Sequence, residues 1–279
     1  MNQMKKADIT AFATFLQEQE RSRATIEKYT KVIQRLYAWL PEDKLLSKQR
    51  LIDYKQALQK EHLPAGVNVQ IAAINGFWRF MGWLEYIIKP LRIQRRIFAA
   101  AEQELSREEY LALVNAAEHK KDKRLSLLLQ LMASTGIRVS EIRYVTAEAL
   151  TLGRIQIHLK GKVRTILLPG KLSRKLQKYQ KSQHITSGSL FRTRSGKEMD
   201  RRDIWAQMKR LCSVAGVPAG RVFPHNLRHL FARVFYKAQR DIAKLADVLG
   251  HSSIETTRIY LISSGQEHQA VLDRLQLVC

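Results

Sequence analysis

Six residues of this chain have side chains suited to moving protons and gripping anions: Arg138, Lys160, His225, Arg228, His251 and Tyr260. A phenol hydroxyl can act as a nucleophile. Imidazole and ammonium groups can carry protons. Guanidiniums hold anionic oxygens through paired hydrogen bonds. Taken singly, each also has an ordinary structural explanation. Arg138, in the run Thr135 to Glu141, can pair with Glu141 at i,i+3. His225 and Arg228 lie three apart and share one helix face. Gly250 reads as a helix C-cap, with His251 next and Ser252 and Glu255 set to form a capping box. Tyr260 by default is a core tyrosine, and Lys160 a turn lysine.

Charge narrows the chemistry. Lys plus Arg number 48 and Asp plus Glu 25, a net of +23 over 279 residues. Such an excess self-repels unless a polyanion uses it, and nucleic acid is the leading partner. Residues 1–100 carry +8 and residues 101–279 carry +15, so a basic tail on a neutral body is excluded. Apolar residues at 45% and charged ones at 26% exclude a disordered or membrane-embedded class. The apolar stretch from Leu125 to Ala133 is far short of the roughly 18 residues that span a bilayer. The start is polar and basic with no apolar region behind it, so a cleaved signal peptide is not expected and the location expected is cytoplasmic. Cys212 and Cys279 give neither a disulfide framework nor zinc spacing. The carboxylates are scattered, with Glu141 alone inside a motif, so no metal site is expected. No glycine-rich phosphate loop with lysine is present, so no nucleotide cofactor is expected.

The elements that must position these residues are mainly helical, in two domains. Within 1–88, Ile26, Tyr29, Ile33, Leu36 and Leu40 recur at helical spacing and Pro41 stops the run. Ser47 caps a second helix carrying Leu51, Ile52 and Leu58. A third is expected over 67–88, with Ile71, Ile74, Trp78, Met81 and Leu84 inward. Residues 89–103, with Arg92, Arg95 and Arg96, read as a linker. The second domain is 104–279. Ser106 and Glu109 form a capping box. Then the period changes: Ile155, Ile157 and Leu159 alternate, Lys160 to Lys162 turn, and Val163 to Leu168 returns as a short hairpin. The basic helix from Lys171 to Gln183 is either a solvated face or a nucleic-acid contact.

Together the six residues are far more specific than apart. The order Arg138, Lys160, His225-x-x-Arg228, His251 and Tyr260, with nine residues from His251 to Tyr260, resembles the tyrosine recombinase family, phage-integrase and Xer-like, of the short two-domain type. The signatures Thr135 to Glu141, His225 to Arg228 and Leu249 to His251 carry the resemblance, which spans the chain.

That family's fold is a helical, SAM-like core-binding domain plus an α-rich catalytic domain with a small β-hairpin, the two gripping DNA as a C-shaped clamp. The resemblance implies site-specific DNA recombination through a 3′-phosphotyrosyl link and a Holliday junction, without metal or cofactor. Tyr260 would be the nucleophile, Arg138 and Arg228 the phosphate clamp, and Lys160 the acid for the leaving 5′-hydroxyl, with Lys162 its rival in the same turn. His225 would handle the tyrosine proton, and His251 would donate to the phosphate. Glu141 would orient arginine and histidine. Arg92, Arg95, Arg96, Lys162 and Arg233 would contact DNA, though Arg233 could instead pair with an acid. Leu230 and Arg233 depart from the small hydroxyl residues common after His-x-x-Arg-His. The implied partners are double-stranded DNA with inverted-repeat core sites, a homotetramer on two such sites, and accessory proteins, with no membrane. Val271, Leu272, Leu275 and Leu277 would pack on a neighbouring protomer or fold back in cis. A type IB topoisomerase and a DNA-binding regulator with vestigial catalysis are the alternatives.

Overall fold

A computed structural model describes residues 2–93, 104–159, 162–193, 195–261 and 273–275. The chain divides into two compact units, Met1–Arg95 and Arg96–Cys279.

In the first unit the apolar periodicity builds four helices: α1 (Lys6–Glu18), α2 (Arg23–Trp39), α3 (Lys48–Glu61) and α4 (Pro64–Met81). Ser22 and Ser47 cap α2 and α3 by accepting from the backbone N–H of Thr25 and Arg50. The inward faces meet around Phe12, Ile33, Leu36, Leu51, Ile74, Phe77 and Trp78, each at most 1% exposed. Each such side chain contributes roughly 1.5–3 kcal/mol by leaving water. The helix expected over 67–88 starts earlier and ends at Gly82, whose φ of +71° is the left-handed C-cap that glycine adopts freely. Leu84 therefore escapes the helical register and is 61% exposed rather than inward. The chain beyond Gly82 is stitched back onto α4 by two asparagines. Asn75 exchanges both amide hydrogen bonds with Ile88, and Asn68 does the same with Leu91. The segment expected as linker from Lys89 is thus still tied to α4 at Leu91. Arg92 follows, exposed; Arg95 and Arg96 lie outside the described residues.

The second unit is built on α5 (Arg107–His119) and α6 (Lys123–Thr135). Ser106 and Glu109 form the reciprocal cap of α5. Leu128, Leu129, Leu131 and Met132 of α6 have no measurable exposure, so this helix is central. A 3₁₀ turn (Val139–Tyr144) and α7 (Ala147–Thr151) lead to an antiparallel hairpin, β1 (Arg154–Leu159) and β2 (Lys162–Leu167), with Arg154 opposite Leu167 and Leu159 opposite Lys162. Ile155, Ile157 and Ile166 face the core. Then follow α8 (Gly170–Ser182), α9 (Arg201–Ala215), α10 (Pro224–Gln239), α11 (Ile242–Leu249) and α12 (Ile254–Arg258), with Tyr260 in a final 3₁₀ turn (Ile259–Leu261). Leu172, Leu176 and Tyr179 fix α8 to the core, while Lys171, Arg174, Lys175, Lys178 and Lys181 are exposed. The cap of α12 is Ser253, not Ser252: Ser253 Oγ accepts from Glu255 N. Among the described residues, no helix is long and apolar enough to cross a membrane.

Candidate active site

Two helices end next to each other, and their ends make the site. α6 stops at Gly136 with φ +61°, and α11 stops at Gly250 with φ +63°. Both glycines are required. A Cβ on Gly136 would sit 2.5 Å from Phe231 Cδ1, and one on Gly250 would strike the side chain of Arg164. A helix C-terminus leaves carbonyls without intrahelical partners and carries partial negative charge. Three arginines take those carbonyls. Arg228 donates to the carbonyl of Gly136 and to that of Leu249, at 2.8 Å for the latter. Arg164 donates to Val248 O at 3.0 Å, and Arg138 to Gly250 O at 3.4 Å.

Glu141 is the carboxylate among these cations, and it is 1% exposed. Its Oε1 accepts from Arg138 Nη1 at 2.8 Å. Its Oε2 accepts from Arg138 N at 2.9 Å and from Arg164 Nη1 at 2.7 Å. Glu141 therefore orients two arginines; the described contacts join it to no histidine.

Arg228, on α10, is 2% exposed. Burial, followed by the Arg138 charge, pushes its pKa down to about 10, so it stays a cation near neutral pH. Its Nε donates to the Tyr260 hydroxyl at 3.3 Å, and its Nη2 lies 2.7 Å from His251 Nε2. A guanidinium only donates, so Nε2 of His251 is the acceptor and the ring proton sits on Nδ1, which donates to Thr257 Oγ1 at 2.8 Å. Burial, then the Arg228 and Arg138 charges, lowers the His251 pKa to about 4. In this arrangement His251 accepts through Nε2; the donation to phosphate expected of it would need Arg228 to release that nitrogen.

Tyr260 is 6% exposed, ringed by three imidazoles. His251 stacks on it at 5.6 Å between centroids, His229 meets it edge-on at 4.4 Å, and His225 lies at 5.6 Å. Desolvation, then Arg228 and Arg138, lowers the His225 pKa. Burial, then His225 and Arg228, brings His229 to about 4. All three rings are neutral at physiological pH.

Arg138, His225, Arg228, His251, Tyr260 and Glu141 thus come together from three regions, 138–141, 225–228 and 251–260. Lys160 lies outside the described residues. Lys162 is not in the turn but opens β2, opposite Leu159. Arg233 forms an ion pair with Glu104. Among the described residues no cluster of His, Cys, Asp and Glu is arranged to hold a metal ion.

Sequence reasoning missed Arg164, His229, Thr257, Arg201 and Trp205. The first had a signal: strand alternation puts Arg164 on the inward face with Ile166, where a charge needs a partner. His229 follows Arg228 directly, but nothing in its spacing separates it from a surface histidine. Arg201 and Trp205, on α9, line a cleft of about 410 Å³ with Arg138, Ser140, His225 and Arg228. Trp205 is 49% exposed, with the Lys209 ammonium 5.2 Å from its ring centroid.

Residues 103–267 match the Phage integrase family. Tyrosine recombinase XerA of Thermococcus kodakarensis is 28% identical over 283 residues, covering 96% of each chain. A lambda integrase (75–356) dimer bound to a COC′ core site aligns with TM-score 0.73 at 16% identity, over 92% of this chain and 94% of that one. A lambda integrase tetramer bound to a Holliday junction aligns with TM-score 0.71 at 16% identity, over 91% and 76%. With the family match spanning the segment that holds Arg138, Glu141, His225, Arg228, His251 and Tyr260, the chain belongs to the phage integrase family of tyrosine recombinases.

Proposed function

We propose that the chain is a site-specific DNA recombinase that cuts and rejoins duplex DNA through a 3′-phosphotyrosyl link at Tyr260. The observation that carries this reading is the 3.3 Å contact from Arg228 Nε to the Tyr260 hydroxyl inside a cluster of three arginines and one carboxylate. The net positive charge of that cluster suits a scissile phosphate, whose in-line transition state gathers negative charge on its non-bridging oxygens. Arg228 donates to the tyrosine oxygen and thereby stabilises it as its proton leaves. His225, kept neutral, is able to take that proton.

Arg138, 39% exposed at its side chain and lining the cleft, meets the phosphate first. Each guanidinium clamp is worth roughly 3–4 kcal/mol by comparison with deleted oxyanion donors. His251 joins as a donor once Arg228 turns to the phosphate, because the anion then favours the imidazolium. The leaving 5′-hydroxyl takes its proton from Lys160, with Lys162 as the rival. Two protomers on each of two inverted-repeat core sites, four in all, exchange strands through a Holliday junction, as the lambda integrase assemblies on core-site and junction DNA suggest. The basic surface of both units, +8 over residues 1–100 and +15 over the rest, contributes the sequence-independent part of the affinity.

The test is Tyr260→Phe. Removing one oxygen leaves the ring packed among the three imidazoles. Duplex binding should persist, while covalent protein–DNA adducts on a nicked duplex disappear. Adducts at the wild-type level in the variant would refute the role of Tyr260.

A further inference from the structure

Arg164 adds to the charge of the cluster but is given no contact with the phosphate or the tyrosine above, and its own contacts join separate parts of the site. It sits on the inward face of β2, its side chain 11% exposed. One arm of its guanidinium reaches Glu141 Oε2 at 2.7 Å, 23 residues back, and the other reaches Val248 O at 3.0 Å, 84 residues ahead. Its aliphatic stem lies against Gly250, where a Cβ could not fit. Its Nε is buried without a hydrogen-bond partner among the described residues. A buried cation with one orphaned N–H is a poor device for stability alone. What it provides is two contacts, in fixed geometry, to two different segments.

We propose that Arg164 is a positioning residue: it ties the Glu141–Arg138 pair and the turn carrying His251 to the β-hairpin, so that the arginine clamp assembles as one piece. The inference rests on the recombinase reading. Arg138 is partly exposed and takes its orientation from Glu141, to which it donates through its backbone N–H and through Nη1. Among the described residues, Glu141 in turn is held from the opposite side only by Arg164. Without Arg164, Oε2 keeps a single backbone donor and the carboxylate is free to turn, taking Arg138 with it. Arginine is needed because its fork spans both acceptors at once; a lysine ammonium on the same stem satisfies one.

The experiment measures single-turnover covalent adduct formation on a nicked duplex, enriched by wild-type binding from a pool of inverted-repeat sequences. It uses the full chain at a temperature where circular dichroism shows every variant folded. Arg164→Ala should slow adduct formation by about 10²-fold, the usual effect of misplacing a reacting group by about an ångström. In an Arg138→Ala background the same change should slow it further by no more than about tenfold, because Arg138 is gone and the turn carrying His251 alone still loses its tie. Arg164→Lys, which keeps the stem over Gly250 and the charge, should fold and fall between wild type and Arg164→Ala. If Arg164→Ala does not fold, Arg164→Lys in the two backgrounds decides alone. Equal slowing with and without Arg138, or wild-type rates in the Arg164 variants, would overturn the inference while leaving the recombinase reading intact. Absence of adducts from the wild-type protein on every duplex of the pool would overturn both.

Discussion

Acid should loosen the site through its histidines, and His251 shows how much. Its Nε2 accepts from Arg228, and its Nδ1–H donates to Thr257, so there is no place for a second ring proton. Its pKa lies at about 4, against an ordinary value of 6.5. The folded state therefore binds fewer protons than the unfolded state between those values. Stability from this group is complete above 6.5 and is lost as pH falls through the window toward 4. Linkage over a fall from about pH 7.5 to about pH 4.5 gives roughly 2.5 kcal/mol for the full shift. Residual solvent access at this half-buried ring reduces this to about 1–2 kcal/mol. Urea unfolding across that pH range, on wild type and on His251→Gln, isolates the effect. Glutamine places an acceptor oxygen near the Nε2 position, so Arg228 keeps its partner, but it does not titrate. The stability difference between the two proteins should shift by about 1–2 kcal/mol in favour of the variant on acidification. Parallel pH profiles would refute the tautomer and the buried Arg228–His251 contact behind it.

Gly136→Ala should destabilise the second unit by about 2–3 kcal/mol in denaturant unfolding, since φ is +61° and the new Cβ meets Phe231 at 2.5 Å. It should also slow adduct formation, because the Gly136 carbonyl holds Arg228. Lys160→Ala should slow cleavage by roughly 10²–10⁴ on an ordinary duplex and recover on one with a 5′-bridging sulfur, whose leaving group needs no proton. Lys162→Ala should do neither, and the reverse pattern would exchange their roles.

Much of this architecture is written in local patterns. The caps at Ser47 and Ser106, the period-2 run around Ile155 and Ile157, and the helix C-cap at Gly250 are read from a few neighbouring residues. The limits of α4 were not legible, because the apolar spacing continues past Gly82 and only the backbone at that glycine decides the stop. Leu84 follows from the same ambiguity. In the site, residues inside signatures were legible and their partners were not. Glu141 could be paired with Arg138 from an i,i+3 spacing, whereas its second partner comes from a strand 23 residues away. Arg233 could be read as a phosphate contact or as half of an ion pair, and only the fold brings Glu104 to it across 129 residues.

The crowding of Arg138, Arg164 and Arg228 raises a question that spacing alone does not answer: why three cations gather around one carboxylate without pushing the fold apart. The backbone supplies the remaining negative ends. α6 and α11 point their C-termini at the same place, and the carbonyls of Gly136, Val248, Leu249 and Gly250 each accept from an arginine. Each helix end brings partial negative charge equivalent to roughly half an electron, strongest within its last turn. These carbonyls are fixed dipoles that need no rearrangement when an anion arrives, so the cations remain available to it instead of being neutralised by further carboxylates. This is also why glycine is needed at both C-caps. Any residue with a Cβ would be strained in the left-handed turn that exposes those carbonyls, and at 250 it would displace Arg164 as well. The motifs at 135–141 and 249–251 are therefore one device used twice: a helix end, a glycine that turns the chain away, and an arginine or histidine placed where the helix stops.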